Sequence, residues 1–156
     1  MKEIFFLATP DETRRLGRLL GKRLGPDSVV ALIGNLGAGK TCMIQGLAVG
    51  LGVSEDYIIA SPTFNLANEY LGRVPFFHLD VYRLEGNDFF EAGLDEYFIR
   101  KGVVALEWAD KIKDVLPQPY LEVELTHIES GGRRAVLRTR DDGYWKIIKK
   151  LKEQWD

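Results

Sequence analysis

Along this chain the apolar positions alternate between the two-residue repeat of a strand and the three-to-four-residue repeat of a helix. Ile4 to Leu7 reads as a first strand. Thr9-Pro10-Asp11-Glu12 then opens a helix: Thr9 can cap it, Pro10 suits its first turn and Glu12 completes a capping box. Leu16, Leu19 and Leu20 supply its apolar face, and Gly25-Pro26 is expected to end it. Val29-Val30-Ala31-Leu32-Ile33 is apolar throughout and rich in β-branched residues, as a strand buried on both faces requires. Met43, Ile44, Leu47, Ala48 and Leu51 return to helical spacing, with a stop near Gly50 to Gly52.

Ile58 to Tyr70 has mixed character and includes Ala60-Ser61-Pro62-Thr63-Phe64-Asn65-Leu66. A strand through Val74 to Asp80 follows, then a helix from Glu91 to Arg100 and a second fully apolar strand, Val103 to Glu107. Tyr120 to Ile128 and Arg134 to Thr139 alternate as a pair of strands linked by Gly131-Gly132. Trp145, Ile148, Leu151 and Trp155 stripe a C-terminal helix. Early strand–helix alternation followed by a hairpin predicts an α/β fold. Its sheet would be mainly parallel with an antiparallel edge hairpin, sandwiched by helices in three layers as one domain spanning residues 1–156.

The junction between the second strand and second helix carries chemistry. Gly34-Asn35-Leu36-Gly37-Ala38-Gly39-Lys40-Thr41 reads G-x-x-x-x-G-K-T, the phosphate-binding loop of nucleotide hydrolases, in the strand–loop–helix setting it needs. Its glycines let backbone N–H groups converge on a phosphate beside the positive end of a helix. Lys40 supplies a mobile cation for the β- and γ-phosphates, and Thr41 a hydroxyl ligand for Mg²⁺. The dinucleotide fingerprint G-x-G-x-x-G does not fit, because Cys42 stands where the last glycine would be. Such a loop needs an acidic partner at the end of a neighbouring strand, and Asp80 and Glu107 both qualify. One would hold the metal while the other orients or deprotonates water; spacing alone leaves the division open. Ser61 and Thr63 are candidate switch hydroxyls or parts of an ordinary rigid turn.

Other residues call for plainer roles. His78 lies on an apolar strand and is expected to be packed or hydrogen-bonded, and His127 to be exposed. Arg133-Arg134 is a charged hairpin end that can border the nucleotide. Cys42, the one cysteine, excludes an internal disulfide and suits a small packing position. A net charge of −2 argues against a dominant nucleic-acid-binding surface, and no DNA partner is expected. No apolar stretch approaches the roughly 20 residues of a membrane span, and Met1 to Leu7 turns polar too soon for a signal peptide. These features predict a cytoplasmic protein.

Ser61-Pro62-Thr63-Phe64, His78-Leu79-Asp80-Val81-Tyr82-Arg83-Leu84 and Leu106-Glu107-Trp108-Ala109-Asp110, following Gly37-Ala38-Gly39-Lys40-Thr41 in that order, resemble the bacterial TsaE (YjeE-type) ATPases. The resemblance runs from Pro10-Asp11-Glu12-Thr13 to Gly132-Arg133. It implies a P-loop NTPase using ATP/ADP and Mg²⁺, required for N6-threonylcarbamoyladenosine formation in tRNA. The partner would be the TsaB–TsaD heterodimer, with tRNA reached indirectly through that complex. Carried onto this chain, Thr41 and Glu107 match the metal positions, and Lys40, Asp80 and Glu107 the catalytic ones. Asn35, Leu36, Gly37, Ala38, Gly39, Lys40, Thr41 and Cys42 match the loop contacts, while Pro10 and Gly132 match places flanking the adenine. Cys42 replaces a frequent second Thr, and Val81 a common Leu. Three other readings compete: a small nucleoside or metabolite kinase, a non-hydrolysing ATP-dependent adaptor, and a GTP switch. The last is disfavoured because Asp110-Lys111-Ile112-Lys113-Asp114 has the wrong order for a guanine-reading N-K-x-D.

Overall fold

The computed structural model describes residues 1–35, 37–62 and 66–155; Leu36 and Thr63, both named above, lie outside the described residues. In chain order the elements are β1 (Lys2–Leu7), α1 (Pro10–Gly21), β2 (Ser28–Ile33), α2 (Lys40–Gly50), β3 (Ala67–Leu71), β4 (Pro75–Asp80) and α3 (Asp88–Glu91). A 3-10 segment Leu94–Ile99 precedes β5 (Val103–Glu107), and another, Ala109–Val115, precedes β6 (Leu121–His127), β7 (Arg133–Arg138) and α4 (Asp142–Trp155). The strands form one seven-stranded sheet of order β1-β7-β6-β2-β5-β4-β3.

Strands β6, β2, β5 and β4 run parallel at its centre, and β7 and β3 run against them. The β6–β7 hairpin was expected at the sheet edge, but β1 lies outside it, antiparallel to β7 with Phe5 opposite Ala135. The reason is visible in β1 itself. Phe5 and Leu7 alternate onto the core face, and pairing there covers the free backbone edge of β7. The opposite edge is β3, formed from the end of the segment of mixed character.

Alternation along the strands divides the interior in two. Val30, Leu32, Phe76, Val103 and Ala105 face a core built with α1, α2 and α4. Val29, Ala31, Phe77, Leu79, Val104 and Leu106 face a second core closed by α3 and the two 3-10 segments. Helical elements therefore cover both faces. The helix expected over Glu91 to Arg100 is instead a single α-turn and a 3-10 segment. Gly93, at φ +74°, sits between them in the left-handed region that ends helices. Helix α1 stops at Gly21, ahead of Gly25-Pro26, because its last turn tightens into bonds from Arg23 N to Leu20 O and Leu24 N to Gly21 O. At its start Thr9 Oγ1 accepts from Glu12 N, while the Glu12 carboxylate takes the N–H of Ala8, one residue earlier than a standard capping box.

Helix α2, which carries the loop, is seated by glycines. A Cβ on Gly46 would lie 2.2 Å from Arg14 O, and one on Gly17 would lie 2.3 Å from Met43 O. Gly21 and Gly50 repeat this one turn later, so the backbones of α1 and α2 touch along two turns. Because backbone meets backbone, no side chain can move aside. Gly46→Ala is expected to cost about 3 kcal/mol by overpacking and to lower the melting temperature by roughly 10 °C for a chain of this size. Thermal denaturation followed by circular dichroism checks this, with exposed Val49→Ala as the control.

Candidate active site

The parallel register brings the sequence-predicted acids together. Asp80 and Glu107 are direct partners on β4 and β5, and β2, which runs into the glycine loop, pairs with β5 through Leu32 opposite Glu107. Residues two apart share a face, so His78, Asp80 and Glu107 all project to the side occupied by α2. Gly37, Gly39, Lys40, Thr41, Cys42, Ser61, Asp80, Tyr82, Glu107 and Trp108 line one cleft of about 390 Å³.

The loop end of α2 is built to receive an anion. Its N-cap is Gly39, at φ +105°, which provides no capping side chain, and its first turn contains no acid. The first N–H groups of any helix lack intrahelical partners, so these remain for a ligand. Helix α1, by contrast, caps itself with Thr9. Lys40 Nζ donates to Gly34 O and, at 3.0 Å, to Asn35 O, and lies 3.9 Å from the centre of the Trp108 ring. Burial depresses the Lys40 pKa, and attraction to Glu107, Asp80 and Asp110 offsets this only in part.

A hydrogen-bond chain joins the proposed metal ligands. Ser61 Oγ donates to Glu107 Oε2 at 2.7 Å and lies 3.1 Å from Thr41 Oγ1. Since Ser61 gives its one proton to the carboxylate, Thr41 is the donor to Ser61, and its lone pairs stay available. His78 Nε2 lies 2.7 Å from the same Glu107 oxygen. Burial raises the Glu107 pKa, but the His78 hydrogen bond and attraction, the Ser61 hydroxyl and Lys40 outweigh it, leaving the carboxyl below its ordinary range. Asp80 moves the other way. Burial raises it, the Tyr82 N–H on Oδ1 opposes, Glu107 raises it further, and His78 and Lys40 only partly compensate.

Other named residues fall into place around this centre. Gly132, at φ +80°, packs where a Cβ would lie 2.6 Å from Leu7 O, so it abuts the chain entering α1 at Pro10. Gly39 is 3.7 Å from Thr13 Cγ2 by the same construction, so Pro10 and Gly132 flank the loop on one rim. His127 is exposed and His78 fully buried, as expected. Two contributions go beyond the sequence reading, which had Arg133 only bordering the nucleotide. Arg133 donates from Nε to Ala38 O and from Nη2 to Gly37 O, both at 3.1 Å, clamping the loop carbonyls outward. Trp108, in the left-handed region at φ +62°, forms a wall against Lys40 and Tyr82. Its place directly after a strand-end acid was the one sequence clue. Among the described residues no cluster of three or more His, Cys, Asp or Glu could hold a metal alone, so any ion here needs hydroxyl and ligand oxygens as well. No helix among them is long and apolar enough to cross a membrane.

The family model described as threonylcarbamoyl adenosine biosynthesis protein TsaE matches residues 7–136. A protein from Nostoc sp. described as tRNA threonylcarbamoyladenosine biosynthesis protein TsaE is 45% identical, covering 83% of this chain and 82% of its own. One of the same description from Treponema pallidum is 42% identical over 78% of this chain and 90% of its own. The crystal structure of Bacillus subtilis YdiB superposes with a TM-score of 0.85 at 31% identity, covering 100% of this chain and 97% of that one. With residues 7–136 matched to one family model, the chain belongs to the TsaE family.

Proposed function

We propose that this protein is a P-loop ATPase that hydrolyses ATP to ADP and phosphate in support of threonylcarbamoyladenosine formation in tRNA, acting on a TsaB–TsaD complex. The observation that carries the reading is the meeting of an uncapped, glycine-started helix with the Thr41–Ser61–Glu107 chain and Asp80 in a single cleft. Helices on both sheet faces fit the three-layer P-loop architecture. The modification role rests on the relatives described as tRNA threonylcarbamoyladenosine biosynthesis proteins.

The residues present fit Mg²⁺–ATP. A hydroxyl and an ionised carboxylate are hard oxygen donors, and Mg²⁺ takes few protein ligands beside phosphate oxygens and water. Thr41 and Glu107 would hold the ion or its waters, and bound Mg²⁺ would neutralise charge on the β- and γ-phosphate oxygens. Geometry favours one division of the two acids: Glu107, joined to Thr41 through Ser61 and held below its ordinary pKa range, suits the metal, and Asp80, held above its own, suits orienting the attacking water and taking its proton. Lys40 and the amides of the loop and first α2 turn would stabilise charge spreading over the transferring group. Arg133 is spent on loop carbonyls and is not free to act as a finger on the γ-phosphate, which favours slow turnover until a partner completes the site.

The test is phosphate release from Mg²⁺–ATP by the purified protein, alone and with TsaB–TsaD and tRNA. A low basal rate that rises with the partners is expected. Equal rates would remove partner gating, a phosphorylated acceptor would indicate a kinase, and ATP retained intact would indicate an adaptor.

A further inference from the structure

His78 is a buried polar side chain beside the cleft that the reaction scheme above leaves without a task. It is fully buried on β4, two residues before Asp80 and opposite Ala105 on β5. Its neighbours on that face, Phe76, Val103 and Ala105, are apolar. Among the described residues its Nδ1 has no hydrogen-bond partner. Leaving a buried polar atom unpaired costs stability, so an apolar residue of similar volume would serve packing better. Among the described residues the ring makes one hydrogen bond, from Nε2 to Glu107 Oε2 at 2.7 Å. A carboxylate can only accept, so Nε2 carries the hydrogen.

Oε2 also takes the Ser61 hydroxyl, while Oε1 receives no hydrogen bond among the described residues. With both donors gathered on one oxygen, the carboxylate cannot rotate freely and the other oxygen is offered to the cleft. We propose that His78 is a positioning residue whose Nε2–H fixes Glu107 so that Oε1 meets the metal ion or its water shell. This rests on the reading of Glu107 as a metal-holding group. Ser61 alone is a weaker anchor, since its oxygen also accepts from Thr41, a hydroxyl the metal would itself engage. His78 is held on a central strand and keeps its hydrogen bond whichever way Ser61 turns.

Removing a hydrogen-bonding partner of a metal ligand commonly weakens metal affinity 10- to 100-fold. The test uses Mn²⁺ in place of Mg²⁺, its binding to the protein–ATP complex measured by the loss of the free-ion electron paramagnetic resonance signal. ATP binding in EDTA is measured separately by calorimetry. His78→Leu is expected to weaken Mn²⁺ binding roughly 10- to 100-fold and leave metal-free ATP binding unchanged. His78→Gln, whose amide N–H reaches as far as Nε2, is expected to restore Mn²⁺ affinity to within about threefold, because it replaces the donor. If the Leu variant fails to fold, His78→Asn stands in, a polar side chain too short to reach Oε2. Wild-type Mn²⁺ affinity in the Leu or Asn variant overturns the proposal, as does equal loss in the Gln variant, which would make the ring a packing element. Wild-type Mn²⁺ affinity in Glu107→Gln rejects the metal role of Glu107 itself and is distinguishable from both.

Discussion

Asp80→Asn should lower ATP turnover by about 10²–10³-fold while melting at or above the wild-type temperature. The two halves have one cause. Burial pushes the Asp80 carboxyl above its ordinary range, against the Tyr82 N–H, and the Glu107 carboxylate beside it adds to the rise beyond what His78 and Lys40 remove. A carboxyl whose folded pKa exceeds its unfolded value costs stability when ionised. That cost is complete above the folded pKa and vanishes below the unfolded one. At neutral pH the wild type bears it and the amide does not. Asn keeps the oxygen that accepts from Tyr82 N, so local geometry survives. The stability gap should close as pH falls through the carboxylate range, where wild-type Asp80 takes up its proton. Phosphate release and thermal melts of the two proteins across pH check both halves. A variant melting well below wild type would make Asp80 a structural residue.

The distribution of what the sequence revealed follows from this economy of position. The loop and the two acids were legible because each lies where an apolar run ends, and strand ends on one sheet edge are where ligands of such folds bind. The contrast between Asp80 and Glu107 was not legible, because it comes from neighbours brought by the fold: among the described residues His78 and Ser61 reach Glu107, and only a backbone N–H reaches the Asp80 carboxyl. Strand order was also hidden. Phe5 and Leu7 announce a half-buried strand but carry nothing that selects β7 as its partner. A glycine inside a helix is, by sequence alone, only a loss of propensity. Only contact between the helices turns Gly17 and Gly46 into requirements. The shortened helix after Glu91 failed for the opposite reason, since local turn chemistry at Gly93 overrode an apolar spacing that looked continuous.

Lys40→Ala should remove turnover by at least about 10²–10³-fold and weaken Mg²⁺–ATP binding, and a change in tryptophan emission should disappear with it. Lys40 Nζ rests over Trp108 at 3.9 Å and donates to Gly34 O and Asn35 O, so the ammonium has partners that phosphate oxygens can replace. Burial disfavours its charge, and a polyphosphate supplies more negative charge than two carbonyls, so exchange toward the ligand is downhill. When the ammonium leaves the ring, the indole loses a cation–π partner and its emission should shift on addition of Mg²⁺–ATP. Trp145 and Trp155 lie on α4, away from the cleft, so Trp108→Phe identifies the reporter. Lys40→Arg should not restore activity, because a planar five-donor fork cannot take the place of a compact ammonium beneath an indole and between loop carbonyls. Stopped-flow fluorescence on Lys40→Ala, Lys40→Arg and Trp108→Phe, with phosphate release on the first two, makes the check. An undiminished emission change in Lys40→Ala would show that ligand binding does not draw the lysine from the ring, and normal turnover in that variant would remove the loop cation from the reaction.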